Sequence, residues 1–300
     1  MLKYLETSRE VVLEEESLRD GLQNERRILS LDEKLELVHL LATAGIRRVQ
    51  VGSFVNPRTV PQMADTDALV GLVRAALPHL LCTALVLNRQ GLDRAIGCGL
   101  DHISLSLSVS DSHSRKNVRR SATEALEAIV ALVGTAVAHG ITVRAGVQSA
   151  FGCADEGCVP EDRVLEAVRR LAAAGAAEIN LADTAGKAHP DQVRQLVARV
   201  RLLEPAVRLS LHLHDTRGLG LANLMAGYEA GVRLFDVAAG GLGGCPFVQG
   251  AAGNVATEAA VHLFQGLGVD TGIDLGQLHK IVERYQEVLG RPLPEKKHRM

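Results

Sequence analysis

Short runs rich in Val, Ile and Leu alternate along the chain with longer amphipathic stretches, and the junction between them repeats. A helix-like segment ends at Gly or Pro, and a β-branched or Leu-rich run follows within a few residues. This occurs seven times: Gly45 precedes 48–51, Pro78 precedes 81–87, Gly99 precedes 102–105, Gly140 precedes 141–143, Gly175 precedes 178–181, Pro205 precedes 207–214, and Gly231 precedes 234–237. With 11–15 at the start, the pattern predicts eight strands. The intervening stretches carry helix signals. Between Leu31 and Ala44, the residues Leu31, Leu35, Val38 and Leu41 share one face, Ser30 and Glu33 have the spacing of a capping box, and Gly45 suits the left-handed residue that ends a helix.

Strand and helix alternating eight times implies parallel strands joined by right-handed crossovers. Eight such units close into an α/β fold of the (β/α)8 TIM-barrel type, with a doubly wound open sheet as the competing architecture. No Pro- or Ser-rich linker divides the chain. One catalytic domain is expected over residues 1–300, with the barrel core at about 11–270 and an extra C-terminal helix at about 272–290.

Composition narrows the function. Lys and Arg number 33 against 35 Asp and Glu, and the resulting net charge of −2 gives no support to a nucleic-acid partner. Aromatic residues are 3% with no Trp, so base-stacking platforms and membrane-interface belts lack their usual side chains. No apolar stretch reaches the roughly 18–20 residues of a membrane span, and the start Met1-Leu2-Lys3-Tyr4-Leu5-Glu6 has no targeting pattern. A cytoplasmic protein without a membrane partner is expected. The five cysteines, an odd number scattered over the chain, fit a reducing compartment better than a disulfide framework.

In such a barrel, chemistry gathers at the C-terminal ends of the strands. Strand seven ends Leu211-His212-Leu213-His214-Asp215, and alternation along a strand puts both imidazoles on one side. Two histidines there can share one metal ion, whereas two core histidines would each need a partner of their own. Strand one ends Ser17-Leu18-Arg19-Asp20-Gly21, which brings a guanidinium and a carboxylate to the same rim, an ordinary solvated ion pair being the competing reading. After strand eight come Gly240-Gly241-Leu242-Gly243-Gly244-Cys245-Pro246 and Gly253-Asn254, a Gly-rich loop suited to a lid, with Asn254 offering a neutral oxygen. Asp20, His212, His214 and Asn254 form a mixed N/O set with open positions, more suited to Mg²⁺ or Mn²⁺ than to a closed zinc site.

These residues stand in longer runs: Arg19-Asp20-Gly21-Leu22-Gln23-Asn24-Glu25, Ser53-Phe54-Val55 with Val60-Pro61-Gln62-Met63, His212-Leu213-His214-Asp215-Thr216, and Gly241-Leu242-Gly243-Gly244-Cys245-Pro246 through Glu258. Over about residues 11–290 the chain resembles the 3-hydroxy-3-methylglutaryl-CoA lyase family, within a wider group of metal-dependent barrel lyases and Claisen-type condensing enzymes. The resemblance implies that Asp20, His212, His214 and Asn254 hold the divalent ion, and that Asp20 and His212 also belong to the catalytic set. It further implies that Arg19 stabilises an enolate oxygen, that Cys245 on the lid helps complete catalysis, and that Asp183 supports the metal site from strand six. The implied reaction is a retro-Claisen cleavage of a carboxylate-bearing 3-hydroxyacyl-CoA to acetyl-CoA and a keto acid, by a homodimer. The group that takes the hydroxyl proton stays open among Asp20, His214 and others.

One departure bears on substrate. Where that family carries Ile-Glu or Val-Glu at the end of strand two, this chain has Val49-Gln50, so a neutral amide stands at a catalytic position. Either the reaction tolerates the amide or the substrate differs near its hydroxyl. A condensing acyltransferase and a non-catalytic acyl-CoA-binding barrel are the alternative functions. Arg115 and Lys116, in the loop after strand four, are candidates for CoA phosphates, with a solvated charge run as the competing account. Cys153 and Cys158 lack the second pair a structural metal site needs.

Overall fold

Residues 11–243 and 253–293 are described by the computed structural model. The first half runs β1 (Val12–Glu15), α1 (Leu31–Thr43), β2 (Arg48–Ser53), α2 (Thr66–Ala76), β3 (Leu81–Val86), α3 (Arg89–Gly97), β4 (His102–Ser108), α4 (Asp111–Val118) and α5 (Ala122–Ala138). The second runs β5 (Thr142–Gln148), α6 (Glu161–Ala173), β6 (Glu178–Ala182), α7 (Pro190–Leu203), β7 (Arg208–His212), α8 (Gly220–Glu229), β8 (Leu234–Val237), α9 (Thr257–Gly266) and α10 (Leu275–Leu289). All eight strands pair in parallel and in chain order, and β1 returns to β8 with Val12 opposite Leu234, which closes the barrel. The open sheet is excluded. α10 is the extra C-terminal helix that the sequence pattern predicts.

Local signals act as expected in α1. The Ser30 hydroxyl accepts from Glu33 N–H at 3.2 Å while the Glu33 carboxylate accepts from Ser30 N–H at 2.8 Å, and Gly45 ends the helix with φ +100°. No single helix among the described residues is long and apolar enough to cross a membrane.

Alternation along the strands sorts two populations. Outward residues such as Val49, Ile103, Leu105, Val143, Ile179 and Leu211 are buried beneath the helices. Many inward residues are polar. Arg48 grips Glu178 with Nη1 at 3.0 Å and Nη2 at 2.7 Å and also pairs with Glu14, while Arg144 binds Glu14 and Asp236. Burial opposes the charge on Glu14, but Arg144 and Arg48 outweigh it and hold the carboxyl down at about 2. Ionised groups sealed this deep persist only as pairs, because a lone buried charge costs several kcal/mol.

The three consecutive acids of β1 and its end show the alternation most plainly. Glu14 faces Arg48 and Arg144 in the barrel, whereas Glu15 faces outward, accepting from Ala239 N–H at 3.0 Å and Thr257 Oγ1 at 2.5 Å. Glu16 faces inward again and pairs with Arg19. From the outer layer, Tyr285 of α10 reaches Ser17, with Oη 2.6 Å from Oγ.

Gly45 also faces the approach to α10: a Cβ there would strike the Gly272 carbonyl oxygen and lie 3.1 Å from its carbon. Gly45→Ala should therefore lower stability by about 2–4 kcal/mol, combining left-handed strain with a backbone clash. Denaturant unfolding checks it, and a loss under about 0.5 kcal/mol would contradict the packing.

Candidate active site

β1 stops at Glu15, and Ser17–Gly21 form a single π-type turn in which Gly21 N–H donates to the Glu16 carbonyl at 3.1 Å. The expected strand end over these residues is thus a turn. Its cause is Glu15, whose carboxylate bends back to accept from Ser17 N–H at 3.0 Å and takes the backbone out of the ladder. Turns of this kind concentrate at functional sites. This one delivers Arg19 and Asp20 to the barrel mouth, with their side chains 12% and 11% exposed.

β7 likewise ends earlier than expected, at His212, which is the last residue opposite both β6 and β8. His214 then pairs with Asn254 in an isolated antiparallel bridge, flanked by Asp215 N–H to the Gly253 carbonyl at 2.8 Å and Val255 N–H to the Leu213 carbonyl at 3.2 Å. That backbone pairing carries Asn254 to the histidines.

The result is a tight cluster. His212 Nε2 and His214 Nε2 are 3.1 Å apart, and Asp20 Oδ2 lies 4.0 Å from His214 Nε2. One donor atom from each of these three residues falls within 4.8 Å of the others. Asn254 Nδ2 donates to Asp20 Oδ2 at 2.7 Å and to the Leu242 carbonyl at 2.9 Å, while its Oδ1 is buried without a partner. Gly243, at φ +96°, leaves the space: a Cβ there would collide with Asn254 Nδ2 and sit 2.8 Å from Asp20 Oδ2.

A divalent cation fits these residues. Two ligand atoms about 2.1 Å from one ion and at right angles to it lie about 3 Å apart, as the two Nε2 atoms do. The orphaned Asn254 Oδ1 is a further neutral donor. Protonation states of Asp20 and His214 agree. Burial would raise the Asp20 carboxyl, but Arg19, His212 and His214 hold it down at about 2, and burial beside His212 lowers His214 to about 4. Carboxylate and neutral imidazole are the ligating forms.

Around the cluster stand the other expected residues. Arg19 Nη1 donates to Asp20 Oδ1 at 2.6 Å, Nη2 donates to Glu16, and Nε donates to Gln50 Oε1. Gln50, 1% exposed, gives its own Nε2 to Ser104 Oγ at 3.1 Å. Asp183 lies outside the cluster. Its carboxylate accepts from the N–H groups of Lys187 at 2.8 Å and Ala188 at 3.0 Å, and its own N–H donates to the His212 carbonyl at 2.8 Å. Cys245 lies outside the described residues. Arg115 and Lys116 are exposed on α4, with Lys116 Nζ 2.7 Å from Asp155 Oδ1. Cys153 is buried against Ser110 Oγ at 3.0 Å, and Cys158 is exposed.

Two acids escaped the sequence reading. Asp236 Oδ2 lies 3.0 Å from His212 Nδ1 and also meets Arg144 and, at 3.3 Å, Asn180 Nδ2. Burial disfavours a charged His212, yet the hydrogen bond and charge of Asp236 raise its pKa overall. Holding the Nδ1 proton leaves the Nε2 lone pair toward His214. Glu16 is the second, pushed up by burial to about 7 despite Arg19. A carboxylate inside the apolar run Leu234-Phe235-Asp236-Val237, and an acid triplet closing a strand, were the signals available.

A closed parallel barrel with a carboxylate, two imidazoles and an amide at its mouth has the build of a barrel enzyme whose site suits a divalent cation. Comparison narrows it. The HMGL-like family model matches residues 10–284. (R)-citramalyl-CoA lyase of Chloroflexus aurantiacus is 42% identical over 285 residues, covering 92% of this chain and 90% of that protein. Hydroxymethylglutaryl-CoA lyase of Pseudomonas mevalonii is 40% identical over 275 residues, covering 91% and 90%. A solved HMG-CoA lyase of Acinetobacter baumannii, in complex with coenzyme A and 3-methylmalate, matches with a TM-score of 0.90 at 35% identity over 98% of this chain and 95% of that one. The chain belongs to the HMGL-like family and is a carbon–carbon lyase.

Asp236→Asn should weaken divalent-metal affinity by about 10–100-fold, since it removes the charge that orients His212. Titration calorimetry with Mn²⁺ measures this, and unchanged affinity in a folded variant would detach Asp236 from the site.

Proposed function

We propose that the chain cleaves the C2–C3 bond of a carboxylate-bearing 3-hydroxyacyl-CoA, releasing acetyl-CoA and a keto acid, with Asp20, His212, His214 and Asn254 holding a divalent cation, Mg²⁺ or Mn²⁺. The observation that carries this reading is the convergence of Asp20, His212 and His214 within 4.8 Å beside Arg19. Relatives along nearly the whole chain cleave acyl-CoA substrates by name, and one solved relative holds coenzyme A.

The bound cation would supply Lewis acidity, lowering the pKa of a substrate hydroxyl beside it. The chain's own residues do the rest. As the C3 hydroxyl loses its proton, C3 becomes a carbonyl and the C2–C3 electron pair moves into the thioester as an enolate. Arg19 meets that charge: three of its five N–H groups are taken by Gln50, Asp20 and Glu16, which leaves one on each terminal nitrogen for the thioester oxygen. The same three acceptors fix the guanidinium before substrate arrives. Asp236 holds the His212 ring, and Asp183 holds its backbone. Protonation at C2 then completes acetyl-CoA, a step for which the family resemblance offers Cys245. The condensing direction has no observation here in its favour.

A coupled assay for acetyl-CoA tests the reading, using hydroxymethylglutaryl-CoA and citramalyl-CoA with Mg²⁺ or Mn²⁺. Release that needs the cation and falls at least about 100-fold in His212→Ala is expected. No release from either thioester would overturn it.

A further inference from the structure

We infer that Gln50 is a specificity-determining residue that selects substrates whose carboxylate is attached directly to the hydroxyl-bearing carbon, so that the second product is a 2-oxo acid. This deepens the lyase reading and rests on it.

The inference starts from how Arg19 is balanced. Its guanidinium touches two carboxylates, Glu16 and Asp20, and one neutral acceptor, the Gln50 amide oxygen. The amide cannot be turned round, because Arg19 Nε–H demands an oxygen and a flipped amide would set two donors face to face. Ser104 Oγ, 3.1 Å from Gln50 Nε2, accepts from the other end and fixes the orientation. The side chain is 1% exposed, so water screens little of what happens there.

A glutamate at this position would make the same bond to Arg19 and could accept from Ser104. It would also put a third carboxylate on one guanidinium. The amide therefore leaves hydrogen bonding intact and withholds one negative charge from the barrel mouth.

That charge matters for some substrates more than others. Arg19 contacts both Asp20, a member of the metal cluster, and Gln50, so the amide stands within one guanidinium of the cluster. A carboxylate bonded directly to the carbinol carbon is tied to the region of the reacting hydroxyl and cannot swing away. One methylene more lets the group turn toward solvent. The wall at Gln50 thus admits the first type without like-charge repulsion, whereas an acid there would oppose it. Among the compounds named for relatives, (R)-citramalyl-CoA carries hydroxyl and carboxylate on one carbon, whereas hydroxymethylglutaryl-CoA carries them one methylene apart, so the two give the proposal its contrast.

The experiment compares wild type, Gln50→Glu and Gln50→Met with citramalyl-CoA, which has the carboxylate on C3, and hydroxymethylglutaryl-CoA, which has it one methylene away. Wild type should prefer citramalyl-CoA. Gln50→Glu should lower the ratio of the two kcat/KM values at least about tenfold, mainly through KM for citramalyl-CoA. Gln50→Met, neutral but without the acceptor for Arg19, should lower kcat for both thioesters and leave their ratio nearly unchanged. A second readout needs no turnover: competition binding of free citramalate against 3-hydroxy-3-methylglutarate should shift the same way in Gln50→Glu. A ratio unmoved by Glu, or moved equally by Met, overturns the assignment. If neither thioester is cleaved, the lyase reading fails, and the free diacids still decide whether Gln50 discriminates.

Discussion

One carboxylate oxygen, Oδ2 of Asp236, joins the charged interior of the barrel to its mouth. It takes hydrogen bonds from Arg144 and Asn180 below and lies against His212 Nδ1 above. Arg144 passes the connection to Glu14, and Glu14 to Arg48 and Glu178. A polar barrel interior is costly unless every ion has partners. Here the partners form a column from β1 to β8 that also dictates the tautomer of His212. The orientation of the Asp20, His212 and His214 cluster is thus a property of the whole closed barrel and not of the rim loops alone.

The fold was legible because its signals are local and repeated. Gly or Pro before a β-branched run marks seven of the eight strand starts, and Ser30, Glu33 and Gly45 state the bounds of α1. The convergence of the two histidines at the rim was legible for a related reason: His212 and His214 obey strand alternation, and barrel architecture places strand ends at the mouth. Where strands ended was harder to read. β1 stops at Glu15, where a carboxylate folds back on Ser17 N–H, and β7 stops at His212, the last residue paired with either neighbour, neither of which hydropathy records.

Residues that act through others were the least visible. Asp236 and Glu16 look from sequence like an acid in a strand and one member of a triplet, and their roles arise only when β1, β5, β7 and β8 meet. Asn254 was placed correctly at the rim, but for a different reason than loop position: a short antiparallel pairing with His214 draws it in. Asp183, which the resemblance implies supports the metal site from strand six, gives its carboxylate to two backbone N–H groups and its own N–H to the His212 carbonyl.

Glu15 is the one acid of the first strand that turns away from the barrel, yet it accepts from Ser17, Ala239 and Thr257 at once. Those residues open the Arg19 turn, the segment after β8 and α9. Segments that share one buried acceptor tend to open as a cooperative unit. Amide hydrogens at Ser17 and Ala239, far apart in the chain, then exchange with solvent in the same opening event, and Tyr285 extends that cooperative unit to the outermost helix.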